Sequence, residues 1–136
     1  MATAISERLV SKALKVTAVV NIGAGLAAMS MPDLNAQLLL GAEVTLEGHL
    51  LRYHLMVWSF VVAMGLGYAV ASRAPERARG ILLAGGAGKL VFALICVEML
   101  WSGHATWLLL GATAFDGLMG ALFLAYFFQT RARSEP

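Results

Sequence analysis

The chain has 136 residues, of which 60% are hydrophobic and 13% charged, with a formal net charge of +2. An ordinary soluble domain is about 45–50% apolar and about 25% charged, so both a soluble globule and a disordered chain are excluded. A single cysteine, Cys96, rules out a disulfide framework and any CxxC redox or zinc motif, and so small a charge gives no argument for a nucleic-acid partner.

The apolar residues fall into four blocks, each near the length needed to cross a bilayer core. The first runs from about Val16 to Met31, the second from about Leu50 to Ser72, the third from about Gly80 to Trp101 and the fourth from about Ala105 to Phe128. None carries the polar face that the outer side of a soluble helix needs. The expected fold is therefore all-α, an integral membrane four-helix bundle forming one domain over 1–136. The first block is not read as a cleaved signal peptide, because Met31-Pro32-Asp33 follows it without a small-x-small site.

Basic residues predict the orientation. Arg8, Lys12 and Lys15 precede the first span, Arg73, Arg77 and Arg79 separate the second from the third, and Arg131 and Arg133 follow the fourth. The other side carries Asp33, Glu43, Glu47 and His49, with Arg52 just inside the second span. The positive-inside rule then places both termini in the cytoplasm, in the cytoplasmic (inner) membrane if the source is bacterial. Tyr53, Trp101 and Trp107 are expected near the outer interface and Tyr68 and Tyr126 near the inner one, as anchoring belts.

Between the first two spans, Pro32 and Asp33 can open a short amphipathic helix with Leu34, Leu38 and Leu39 on one side and Gly41 ending it. It is expected on the outer surface or folded over the mouth of the bundle. Ser102-Gly103-His104 predicts a tight turn that makes the last two spans an antiparallel hairpin. Glycines recur inside the spans, among them Gly25, Gly65, Gly86 and Gly120, where they let helix backbones approach closely. Gly23-Ala-Gly25 and Gly85-Gly86-Ala87-Gly88-Lys89 imitate nucleotide-binding loops but lack the strand context that gives those motifs meaning.

The residues that are costly to insert are the informative ones. Lys89 lies about 13 residues before the Ser102-Gly103-His104 turn and Asp116 about 12 after it, so at about 1.5 Å per residue the two share a depth. A buried Lys89–Asp116 ion pair is the simplest arrangement. It reads either as a structural pair fixing helix register or as an ion, proton or ligand site. Glu98 is nine residues from Lys89, and at 3.6 residues per turn the two point opposite ways. Glu98 should then meet Arg52 and His54 of the second span, or a second subunit; snorkelling to headgroups is the alternative. His49, His54 and His104 lack ligand spacing, so no metal site is expected. Asn21, with Thr17 one turn away, suits a hydrogen bond between helices, and Cys96 reads as packing.

Several of these features occur together in one known group. Asn21-Ile-Gly-Ala-Gly25, the Met31-Pro32-Asp33 break, Arg52-Tyr53, Gly65-Leu-Gly67-Tyr68-Ala69 and Gly88-Lys89 resemble the DoxX-like family of small four-helix integral membrane proteins. The resemblance covers about Val16 to Phe128 and implies a compact four-helix membrane fold. The group is similar in outline to quinone-linked oxidoreductase subunits and to receptor-assembly chaperones, and its resemblance transfers no catalytic residue. The small multidrug exporters fit less well, because their first-span carboxylate is replaced here by Asn21.

Three functions follow as expectations. The first is an accessory or small-ligand-binding membrane subunit with a polar site drawn from Lys89, Asp116, Arg52, His54, Glu98 and Asn21, partnered by the bilayer and by another membrane protein or a second copy. The second is a quinone-associated oxidoreductase subunit; no cofactor motif is evident in the chain, and quinone is the cofactor that reading would require. The third is a small proton-coupled transporter using Asp116.

Overall fold

The computed structural model describes residues 5–41 and 44–132. Glu43 and Arg133, counted above among the flanking charges, lie outside the described residues. The described chain is all-α. Its helices are α1 (Glu7–Ser30), α2 (Pro32–Leu40), α3 (Gly48–Ala71), α4 (Arg79–Trp101) and α5 (Leu108–Ala132), with one 3-10 turn at Pro75–Arg77. Four of them, α1, α3, α4 and α5, are long and apolar enough to cross a membrane.

Local chemistry sets the helix ends. Ser6 caps α1, its hydroxyl accepting from the Leu9 N–H at 3.2 Å, with Glu7 in the first turn beside the positive end of the helix dipole. The helix therefore starts well before the apolar run from Val16, and Arg8, Lys12 and Lys15 ride on it. Hydropathy marks where the oil begins, whereas the cap marks where the helix begins. Pro32 cannot continue α1 but suits the first position of α2, and Gly41 ends α2 in the left-handed conformation at φ 73°. On α2 it is Ala36 that is buried, at 4% exposure, while Leu34 and Leu38 are exposed.

α2 folds over one end of the molecule and is tied there. The Thr106 N–H donates to Leu39 O at 2.8 Å, and the Thr106 hydroxyl donates to Leu38 O, which satisfies carbonyls that a helix C-terminus leaves open. Asp33 accepts from the Leu46 N–H at 2.7 Å and so closes the way into α3. The expected tight turn between α4 and α5 is longer than Ser102-Gly103-His104. It runs through residues 102–107, because Thr106 is held by α2 and α5 starts only at Leu108.

Two close helix pairs make the frame. α1 packs along α3 and α4 packs along α5. A Cβ on Gly65 would stand 3.2 Å from Ala18 O, and one on Gly120 would stand 2.9 Å from Gly86 O, so both contacts need glycine. Small residues here give van der Waals contact between backbones, which lipid does not offer. The two pairs join through larger side chains. Val10, Leu14, Ala18, Tyr68, Ala71, Leu82, Phe123 and Tyr126 form one buried cluster near the basic end. Gln129 closes that end by bonding both the N–H and the C=O of Ile5, at 2.7 and 2.9 Å. The Ser11 hydroxyl donates to Ser72 O at 2.6 Å. Large apolar residues such as Val19, Phe60, Leu94 and Leu118 point outward, as a lipid-facing surface requires.

Gly120→Leu should force α5 off the Gly86 backbone and destabilise the fold by about 1–3 kcal/mol or more, as overpacking does. Gly23→Ala, where a Cβ meets nothing within 4 Å, should be neutral or mildly stabilising. Thermal unfolding in detergent reads both; equal midpoints for the two variants would remove Gly120 from the α4–α5 contact.

Candidate functional site

The polar centre is built by one residue from each of three helices. Lys89 on α4 and Asp116 on α5 form an ion pair, Nζ to Oδ1. The same Lys89 Nζ donates to Asn21 Oδ1 on α1 at 3.3 Å. α3 contributes an aromatic wall, with the Tyr68 ring centroid 5.8 Å from Nζ, and Phe115 of α5 adds another at 5.5 Å. The ring quadrupoles face the cation favourably. All four long helices thus converge on one ammonium group.

Glycine makes this convergence sterically feasible. Gly85 leaves room for the Tyr68 ring, whose Cε1 would lie 2.6 Å from a Cβ at that position. Tyr68 then packs against Phe123 at 5.5 Å between centroids. Gly86 and Gly120 bring α4 and α5 close enough for Lys89 to reach Asp116.

The centre is not fully closed. The Lys89 side chain is 7% exposed and that of Asp116 is 18% exposed. An ammonium carries three donors, and two are engaged, by Asp116 and Asn21. The Asp116 carboxylate keeps acceptor capacity beyond one bond to lysine. One turn from Asn21, the Thr17 hydroxyl is fully buried without a hydrogen-bond partner. The site therefore holds an unused cationic donor and an acceptor carboxylate beside aromatic walls. It can grip a small polar group, or hold a proton between lysine and aspartate.

The other expected site residues lie elsewhere. Arg52 and Glu98 are both exposed and make no ion pair with each other. Lys89 does point opposite to Glu98, inward against outward. The expected intrachain Arg52–Glu98 contact fails because α3 is paired along its length with α1 and α4 with α5, leaving α3 and α4 only a slight contact at their basic ends. His54 instead donates from Nε2 to Ala28 O at 3.1 Å and leans on Trp58, which serves the α1–α3 pair. His104 bonds to Ser102 in the α4–α5 turn. Among the described residues no three His, Cys, Asp or Glu side chains gather as a metal-binding group. Cys96 is buried as a free thiol.

Tyr68 and Phe115 are site residues that sequence reading missed. Tyr68 was expected as an interfacial anchor. A signal for its true place exists: it lies three residues from Gly65, on the same inward helix face. Phe115 carries no such signal. Comparison with family models, with curated proteins and with solved structures returns no match to this chain.

Removing one member of the pair leaves the other charge buried and uncompensated. Lys89→Met or Asp116→Leu alone should each destabilise the fold by about 3–5 kcal/mol, and the double variant should recover most of that loss. Unfolding of the four proteins of this cycle in one detergent measures the coupling. Additive effects would show that the two side chains act independently.

Proposed function

We propose that the chain is a small multi-pass integral membrane protein of the DoxX-like type, with four spans bundled and both termini cytoplasmic. It serves as an accessory or small-ligand-binding membrane subunit. The polar centre of Lys89, Asp116 and Asn21 is its ligand site. Orientation rests on the basic residues at one end of the helices, from Arg8, Lys12 and Lys15 through Arg73, Arg77 and Arg79 to Arg131. In a bacterium this orientation belongs to the cytoplasmic membrane.

The observation that carries the ligand-site reading is the incomplete satisfaction of the centre. A pair built only to fix register would be sealed, whereas here the carboxylate is accessible and one ammonium donor is free. The aromatic walls and the apolar surroundings suit an amphiphile with a flat, hydrogen-bond-accepting head. A quinone has that chemistry, with ring carbonyls for the lysine and an isoprenoid tail for the lipid.

The full chain, purified in nanodiscs, tests the reading. Extraction and mass spectrometry identify any small molecule that travels with it, and a short-tailed ubiquinone analogue is titrated against tryptophan fluorescence. Lys89→Ala, compared with the wild type at a temperature where thermal unfolding shows both folded, should weaken binding by about tenfold or more, the loss expected for a charge-assisted hydrogen bond. Identical binding by the wild type and Lys89→Ala, with nothing co-purifying, would make the pair structural. Orientation is tested separately in intact cells, with a membrane-impermeant maleimide and Cys96→Ser as background. Ser102→Cys should label from outside and Arg77→Cys only after permeabilisation; the reverse pattern would invert the topology.

A further inference from the structure

Among the described residues, two charged side chains near the end that α2 covers, one on α3 and one on α4, have no ion-pair partner. Arg52 is on α3 and Glu98 on α4, both exposed, and neither pairs with another described residue. Both are near the end of the molecule that α2 covers. Arg52 is about 6 Å along its helix from Gly48, and Glu98 about 5 Å from Trp101, at about 1.5 Å per residue, so they share one layer.

Each also occupies the midline of an outward face. At 3.6 residues per turn, Arg52 shares a stripe with Met56, Ser59, Ala63, Leu66 and Val70, all exposed. The stripe of Glu98 holds Leu94, Val91, Ala87 and Ala84, also all exposed. These stripes lie opposite the buried faces of their helices, which carry Gly65 and Tyr68 on α3 and Lys89 and Ala93 on α4. α3 is the least buried of the four long helices. α3 and α4 are also neighbours, since Tyr68 packs on Gly85 and Ile81 on Gly67. Their outward stripes therefore belong to one side of the molecule.

We propose that this side is the interface of a homodimer, in which Arg52 of each copy pairs with Glu98 of the other. A two-fold axis parallel to the helices sets α3 of one copy against α4 of the second, and it generates the pair twice. The charges are complementary at one depth, which identifies a second copy of this chain as the occupant. Ser59 and Ala63 on one stripe and Ala84 and Ala87 on the other let the facing helices come close. Arginine and carboxylate are matched donor and acceptor here, and pairing removes two unpartnered charges from an apolar surface.

Charge reversal tests the interface with the full chain in detergent, its mass read by native mass spectrometry and light scattering. The wild type should be a dimer. Arg52→Glu alone and Glu98→Arg alone should each weaken association by about tenfold or more. Mixed together, the two single variants should form a heterodimer, because both of its pairs are again complementary. The double reversal in one chain should restore the homodimer. Where a reversal does not fold, Arg52→Gln and Glu98→Gln should still loosen the dimer. A monomeric wild type, or a dimer indifferent to each single change, would overturn the proposal and assign these charges to lipid headgroups or to a different membrane protein. The double variant Lys89→Met/Asp116→Leu, which removes the ligand site without leaving a buried unpaired charge, should leave the dimer intact, so the interface can fail or hold independently of the ligand site.

Discussion

A lysine and an aspartate inside apolar helices set the terms for the rest of the molecule. Neither charge is tolerable alone in such surroundings, so Lys89 must find Asp116. That requirement fixes the depth of α4 against α5 and the rotation of each. It also recruits α1, because one carboxylate does not use all the donors of an ammonium and Asn21 takes another. α3 enters through the Tyr68 ring. One side chain thereby sets the register of four helices that apolar packing alone would leave free to slide. Whether the pair adds net stability matters less than this uniqueness, since buried pairs often give little of the former.

Two kinds of contact make the polar centre reachable. Within each close pair, glycine brings backbones together: Gly65 for α1 and α3, Gly86 with Gly120 for α4 and α5. Between the pairs, bulky side chains such as Tyr68 and Phe123 hold the helices further apart. The spacing between pairs leaves room for a lysine side chain to cross it. α2 covers one end of the molecule and Gln129 clamps the other. The molecule is thus tied at both ends, with its polar residues between them.

Much of this was legible in the sequence, but unevenly. Four apolar blocks foretold four long helices, because composition alone decides whether a helix can face lipid. The common depth of Lys89 and Asp116 followed from counting residues to the turn, although the turn itself is longer than expected. The two side chains meet even though α5 starts only at Leu108. Rotation was legible too, since the nine-residue spacing of Lys89 and Glu98 sent them to opposite faces. What could not be read was adjacency. Depth and rotation place Arg52 and Glu98 in one layer, yet only the structure tells that α3 clings to α1 rather than to α4. For the same reason Tyr68 looked like an anchor, because an aromatic near a helix end has one signature whether it faces lipid or a glycine across the gap.

The contrast between the two pairs of charges carries a further consequence. A helix has two sides, and α4 puts one charge on each: Lys89 inward and Glu98 outward. An inward charge can be answered within the chain, because the bundle has a centre where several helices meet. An outward charge has no such centre, so its answer must come from beyond the chain. The same helix therefore divides its polar chemistry by face. The inner face pairs its charge within the fold; the outer face presents its charge to the surroundings of the chain. In a short chain with few charges, the placement of each one is informative in proportion to its scarcity.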